Sequence, residues 1–215
     1  MNEQLLPEIT LFKLAAELYS DRLPYHNFLH ALKAAERGKE IVARCHQDGV
    51  KINGDVVHYA LLFHDAGYHE DCIKKGYKTK EEYAAFLAGE ALKKIGASPD
   101  LIQQVQEAII STHREAEFST NEAKAVRAAD LSNLAGPYEE FLDNTWLLKR
   151  EAEMMGGHEI SWKDWQQRTE ELIESYLKQD IHLTRAYADE QGRSIFHQRA
   201  RANLKRFLEE SKSYS

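Results

Sequence analysis

Residues 60–68 read Ala60-Leu61-Leu62-Phe63-His64-Asp65-Ala66-Gly67-Tyr68. An apolar run leads directly into a His-Asp pair, which predicts a core helix that ends on two side chains able to bind a metal. A buried carboxylate is costly unless something pairs with it, and a metal ion would supply that pairing for Asp65. The alternative is a helix end where Asp65 meets solvent and His64 hydrogen-bonds a carbonyl group.

A second segment with ligand-type side chains lies upstream and reads Tyr25-His26-Asn27-Phe28-Leu29-His30-Ala31. His26 and His30 are four residues apart, so both side chains point to the same side of a helix. This spacing serves two metal ligands, or one ligand and a neighbouring acid. A pair of histidines on a half-exposed helix face, without any function, is the other interpretation.

A third segment lies downstream and reads Val126-Arg127-Ala128-Ala129-Asp130-Leu131. On a helix, Asp130 shares one apolar stripe with Val126 and Leu134, so its carboxylate lies in line with core residues. A carboxylate in that position requires a cation. Arg127 is one candidate, through a salt bridge, and a metal ion shared with the other two segments is the second.

Together the three segments offer imidazoles and carboxylates in the order His, His-Asp, Asp. A mixed set of nitrogen and oxygen ligands suits Mn²⁺, Fe²⁺, Zn²⁺, Co²⁺ or Ni²⁺, and suits Mg²⁺ less well. Four protein ligands on a six-coordinate metal leave room for water and a substrate oxygen. We therefore expect one divalent metal ion, with a second ion as an open alternative.

The remainder of the chain predicts helices, because Leu, Ala, Glu and Lys dominate and no alternating runs of Val, Ile and Thr occur. Gly67 can take the left-handed conformation that ends a helix, and Ser98-Pro99 is typical of a helix start. The expected helices span residues 7–20, 27–48, 54–66, 79–96, 99–115, 119–135, 137–155, 161–180 and 193–211. We expect a single all-α domain over residues 1–215, with C-terminal helices (about 137–211) packed on a metal-binding core (about 22–135).

Composition and charge narrow the classes of function. The 215 residues are 43% apolar and 29% charged, as in ordinary soluble globular proteins. A net charge of -7 argues against broad nucleic-acid binding, but it permits a small phosphorylated substrate because a bound cation reverses the local field. No apolar run is long enough for a membrane helix, and residues 1–4 are not basic as in a signal peptide. With Cys45 and Cys72 interpreted as reduced thiols, we expect a cytoplasmic protein.

Four motifs resemble the HD superfamily of metal-dependent phosphohydrolases, in particular its uncharacterised bacterial group. They are Arg-x-x-Tyr-His-Asn-x-x-His (22–30), Phe-His-Asp-Ala-x-Tyr (63–68), the segment 112–114 around His113, and Asp-Leu (130–131). The resemblance implies an all-α bundle and assigns His30, not His26, as the first metal ligand, with His64, Asp65 and Asp130 completing the set. It also implies hydrolysis of a phosphate ester, in a nucleotide or another small phosphorylated metabolite, by a metal-activated water.

The segment around His26 also resembles the opening motif of cyclic-nucleotide phosphodiesterases. In that family the histidine at this position is the general acid that protonates the leaving oxygen, so the resemblance implies this role for His26. His113 is the alternative acid, and Asp65 counts as catalytic through the metal. The rest of the chain departs from the phosphodiesterase pattern and is shorter than that catalytic domain, so cyclic-nucleotide specificity is not carried over.

Basic and acidic side chains near the motifs complete the candidate site. Arg22, Lys124 and Arg127 are expected to bind the substrate phosphate, and Arg150 is a further candidate. A second metal would draw on the few other ligands near the His-Asp pair, which are His69, His113, Glu81 and Glu82; the two glutamates are equally typical of the first turn of a helix. Tyr68 stands where some HD nucleotidases have a catalytic glutamate, so that mechanism is not expected.

Two other classes of function remain open. Some HD proteins are oxygenases with a di-iron pair, which needs six ligands. Others are non-catalytic regulatory or binding modules, and the loss of a metal ligand would favour that interpretation. None of the four ligand positions is lost in this sequence.

Overall fold

The computed structural model describes residues 5–210, with side chains from residue 9 onward. Residues 1–4, on which the expectation of no signal peptide rested, and residue 211, the expected end of the last helix, lie outside this range. Within it the chain forms nine α-helices and no β-strand, which confirms the prediction of an all-α fold. The helices are α1 (Leu5–Ala16), α2 (Phe28–Gln47), α3 (Gly54–Phe63), α4 (Lys80–Lys94), α5 (Pro99–Ile110), α6 (Asn121–Asp130), α7 (Tyr138–Gly156), α8 (Trp162–Tyr176) and α9 (Ile195–Glu210).

Polar side chains begin several of these helices at the positions that the sequence indicates. Asn27 caps α2 by accepting hydrogen bonds from the backbone of Leu29 and His30, and Thr79 caps α4 in the same way. Ser98 caps α5, with proline at its first position. Caps of this kind satisfy backbone N–H groups that a helix start leaves without partners.

Five predicted helices run three or more residues too far at their C-terminal ends. The α1 helix stops at Ala16 instead of residue 20, and the α8 helix stops at Tyr176 instead of residue 180. The α3 helix stops at Phe63, and the chain turns sharply at Gly67, whose φ is 72°. The α5 helix stops at Ile110, five residues before the predicted end. The helix predicted over 119–135 divides into α6 and a short 3-10 turn over Leu131–Ala135.

The chain divides into two compact units, the first ending at Asp130 and the second beginning at Leu131. In the first unit, α3 is buried on most of its surface, with Val56, Val57, Leu61 and Phe63 almost inaccessible to solvent. Such a helix lies at the centre of its unit. The single domain of residues 1–215 remains a prediction.

The second unit has its own apolar core. Phe141 of α7 and Phe207 of α9 meet edge to face with ring centroids 5.9 Å apart. Asn203 of α9 donates to the backbone carbonyls of Leu134 and Gly136 and so joins this helix to the 3-10 turn. Along the described chain, no helix combines the length and the apolar character needed to cross a bilayer.

Candidate metal centre

Four side chains from three helices of the first unit meet at one point. His30 lies in the first turn of α2, where the Asn27 side chain accepts from its backbone N–H at 3.2 Å. His64 and Asp65 directly follow the last residue of α3, and Asp130 is the last residue of α6. All four therefore sit at helix ends.

The ligand atoms of these residues lie close together. The Nε2 atoms of His30 and His64 are 3.2 Å apart. From His64 Nε2, Oδ2 of Asp65 is 3.0 Å away and Oδ1 of Asp130 is 3.3 Å away. The same two oxygens lie 3.5 Å from Nε2 of His30. Two ring nitrogens and two carboxylate oxygens thus surround a common centre.

The backbone fixes the tautomer of His64. Its Nδ1 lies 2.7 Å from the carbonyl oxygen of Leu61, which can only accept, so Nδ1 carries the proton. The Nε2 lone pair of the neutral ring then points to the common centre, as in a metal-binding histidine whose other nitrogen donates to a carbonyl group.

Burial makes this concentration of polar atoms costly. His64 is only 3% exposed, and Oδ2 of Asp65 is buried without a hydrogen-bond donor. A buried carboxylate oxygen without a donor is rare in folded proteins. A cation at the centre would remove this penalty.

The electrostatic field at the centre favours positive charge. Burial lowers the pKa of His64, but the carboxylates of Asp65 and Asp130 outweigh it and raise that pKa well above its usual value. Burial raises the pKa of Asp65, but His64, His26 and His30 together lower it to about 2. Burial raises the pKa of Asp130, but its close contacts with the imidazoles of His30 and His64 outweigh burial and hold that pKa well below its usual value.

This donor set fits a divalent metal. The ligand atoms of His30, His64 and Asp65 all lie within 4.8 Å of one another. Oδ1 of Asp130 lies within 3.5 Å of both ring nitrogens and belongs to the same centre. Among the described residues, no other group of three or more His, Cys, Asp or Glu ligands is so close, so a second metal gains no support.

His26 lies beside the centre. Its ring is half-buried, 5.9 Å from the ring of His30 between centroids. It also contributes to the lowered pKa of Asp65. On its other side it stacks on Tyr68, with centroids 3.9 Å apart and 14° between the ring planes.

His113 and Arg127 are joined to each other through the loop after α5. The Arg127 side chain is 1% exposed, and its guanidinium donates to the carbonyl oxygens of Ser111, at 3.2 Å, and His113, at 2.5 Å. Nδ1 of His113 accepts from the backbone N–H of Glu115. These contacts give Arg127 a structural role in holding the loop; its contact with a phosphate, and the acid role of His113, remain predictions.

The other basic candidates lie nearer the surface. Arg22 is exposed and Lys124 is half-buried, while Arg150 is an exposed residue of the second unit. Their contacts with a substrate phosphate remain predictions. Glu82 belongs to the start of α4, because its carboxylate accepts from the backbone N–H of Lys78.

Two tyrosines near the centre were not predicted. The hydroxyl of Tyr19 donates to the carbonyl oxygen of Leu62 at 3.0 Å, and burial, with the negative charge of Asp65, raises its pKa well above the usual value. Tyr68 carries the stacked ring of His26. Both contacts join residues from different elements, so a local sequence pattern gives no signal for them.

Comparisons with known proteins identify the fold. Neither a scan against protein-family models nor a search of the curated proteins found a match. Among solved structures, the chain is similar to the phosphodiesterase LmjPDEB1 in complex with IBMX, with a TM-score of 0.63 and 14% identity. The match covers 98% of this chain and 84% of that chain. The sequence limited the phosphodiesterase resemblance to the opening motif, whereas the likeness of fold extends over nearly the whole chain.

Proposed function

We propose that this protein is a metal-dependent phosphohydrolase of the HD type that cleaves a phosphate ester in a nucleotide or another small phosphorylated metabolite. The observation that carries the proposal is the meeting of four ligand atoms, one of which is a buried Asp65 oxygen that has no hydrogen-bond donor. The phosphodiesterase fold of LmjPDEB1 supports it, because this helical fold also occurs in an enzyme of that class.

His30, His64, Asp65 and Asp130 would hold the metal. A divalent metal in such a site lowers the pKa of bound water and draws charge from a phosphoryl oxygen. The Nδ1–H of His64 keeps its Nε2 directed to the centre through the hydrogen bond to Leu61. These side chains thereby fix the point at which water and phosphate meet.

His26 is the proposed proton donor. Its ring lies beside the ring of His30, and it is close enough to Asp65 to lower the pKa of that carboxyl group. A leaving oxygen at the metal centre would therefore lie near His26. Protonation of the leaving oxygen by a histidine contributes about 10²–10⁴-fold to a rate.

Metal analysis of the purified protein, joined to a hydrolysis screen with Mn²⁺, tests the proposal. The screen contains nucleotides, sugar phosphates, phenyl phosphate and p-nitrophenyl phosphate. We expect one metal ion per chain in the wild type, and loss of both metal and hydrolysis in Asp65→Asn and Asp130→Asn. The matched control is Asp71→Asn, because Asp71 is an exposed carboxylate in a surface salt bridge with Lys74.

Other results would contradict the proposal. Hydrolysis that survives in Asp65→Ala would separate the reaction from this centre. Two iron ions per chain without hydrolysis would favour an oxygenase. A bound metal without hydrolysis of any ester would favour a regulatory or binding module.

A further inference from the structure

The ring of Tyr68 lies between an imidazole and an ammonium group. His26 stacks on one side, with centroids 3.9 Å apart and 14° between the planes. The Nζ atom of Lys80 lies 3.2 Å from the centroid of the same ring. Aromatic stacking and cation–π contacts are both attractive, so the three side chains form one ordered group.

This stack is tied to the metal centre through the backbone. The N–H of Tyr68 donates to the carbonyl oxygen of Asp65 at 3.1 Å, within the turn that follows α3. Gly67, next to it, donates to the carbonyl oxygen of Leu18 at 2.9 Å. These bonds fix the backbone of Tyr68 relative to Asp65, and the contacts with His26 and Lys80 then order its ring.

The position of Lys80 is not explained by the helix it begins. Lys80 is the first residue of α4, where the positive end of the helix dipole disfavours a cation. Its contact with the face of Tyr68 offsets that cost. The lysine thus supports the side of the ring opposite to His26.

We propose that Tyr68 is a positioning residue, whose ring holds the imidazole of His26 in the orientation for proton donation at the metal centre. This inference rests on the proposed function. In that reaction, the oxygen of water forms a bond to phosphorus and the bond from phosphorus to the leaving oxygen breaks. The attacking water gives up a proton to solvent. The electron pair of the broken bond stays on the leaving oxygen, which takes the proton from His26, and His26 recovers a proton from solvent.

The nature of the leaving group separates this role from simple packing. Phenol, like a tyrosine side chain, has a pKa of about 10 and leaves poorly unless it is protonated. The far more acidic p-nitrophenol leaves without such help. Loss of a correctly oriented acid should therefore slow phenyl phosphate much more than p-nitrophenyl phosphate, whereas a general loss of structure slows both equally.

The principal variant is Tyr68→Leu, which removes the ring, and Tyr68→Phe is the conservative rescue because it keeps the stacked face. With Mn²⁺, we expect Tyr68→Leu to lower kcat for phenyl phosphate at least 10-fold and to change KM and kcat for p-nitrophenyl phosphate less than 3-fold. Its content of bound Mn²⁺ should equal that of the wild type. Tyr68→Phe should restore kcat to within about 3-fold.

A double-mutant cycle tests whether Tyr68 acts through His26. It is measured on phenyl phosphate, whose leaving group needs the acid. In a His26→Gln background, Tyr68→Leu should cause no further loss of kcat, because the group that it orients is already absent. A spectroscopic signature accompanies this: the carbon-bound ring protons of His26 should move downfield in Tyr68→Leu and stay in place in Tyr68→Phe.

Three results would overturn the inference while the proposed function stands. The first is a kcat of Tyr68→Leu equal to that of the wild type. The second is a double variant whose loss of kcat is the product of the two single losses. The third is loss of bound Mn²⁺ in Tyr68→Leu. Failure of the proposed function is distinct from all three, because the wild type itself would then hydrolyse no ester of the screen.

Discussion

Single residues at the centre differ in what they contribute. The four proposed ligands bring two carboxylates to a buried point, and Oδ2 of Asp65 is the atom among them that is buried without a hydrogen-bond donor. Arg127, three residues before Asp130, has a different task. Its guanidinium group donates hydrogen bonds to two backbone carbonyls of the loop after α5. The arginine therefore stabilises the loop, and the carboxylate of Asp130 faces the two imidazoles.

Arg127→Met should destabilise the protein by about 3 kcal/mol. The substitution keeps much of the apolar stem but leaves the carbonyls of Ser111 and His113 without their charged donor, and hydrogen bonds to charged groups contribute about 1.5–3 kcal/mol. Chemical denaturation measures the effect. Arg22→Met is the control, because Arg22 is exposed and its loss should change stability by less than about 0.5 kcal/mol. A large rise in KM of Arg127→Met without any loss of stability would instead favour the predicted contact with a phosphate.

Some site residues could be predicted from the sequence and others could not. The periodicity of a single helix places Asp130 on an apolar stripe, and a carboxylate in that position needs a cation as partner. This part of the site could therefore be predicted from the sequence. The same pattern left Arg127 and a metal ion as alternative candidates for that cation. The choice between the two depends on the path of the loop of residues 111–120, whose carbonyl groups bind Arg127. A local sequence pattern does not encode that path. The stack on Tyr68 is likewise a contact between separate elements.

At the scale of elements, the centre depends on how helices end. His64 and Asp65 follow α3 immediately, and the turn closes with Gly67 at a φ of 72°. The sequence identified Gly67 as a helix-ending glycine, but the helix was predicted to run to residue 66. The helical dihedrals of the His64 cap make that end hard to locate from sequence.

Gly67→Ala should destabilise the protein by about 2–5 kcal/mol and weaken metal binding. A positive φ costs a residue with a Cβ about 1–2 kcal/mol. Overpacking adds about 1–3 kcal/mol, since that Cβ would lie 2.6 Å from the Tyr83 ring and 2.8 Å from Leu87. Denaturation and Mn²⁺ titration measure the two effects.

Gly49→Ala is the matched control for this prediction. Gly49 has the same φ of 72°, but a Cβ there would meet nothing within 4 Å. We expect it to lose only the conformational part, about 1 kcal/mol, with unchanged affinity for Mn²⁺. If the two variants lost the same free energy of unfolding, the close approach to Tyr83 would not contribute to the effect of Gly67→Ala.

At the scale of the whole molecule, the sequence predicted the class of fold and the position of nearly every helix. Helix-forming composition and caps such as Asn27 and Ser98 explain that success, because both act within a few residues. The division at Asp130 was not predicted, since only a short 3-10 turn, and no linker, marks it. All four proposed ligands belong to the first unit, so the metal would act on that unit.

Removal of the metal should therefore loosen a defined part of the chain. A ligand that binds only the folded state stabilises it by about 2.7 kcal/mol at 100 times its Kd. We expect Mn²⁺ at that concentration to slow amide hydrogen exchange about 100-fold in the most protected segments of α2, α3 and α6, the helices that carry the ligands. Mass spectrometry after EDTA treatment and after Mn²⁺ addition measures this. In Asp130→Asn the slowing should disappear, because one of the four ligands is neutral, and slowing that persists there would place the metal elsewhere.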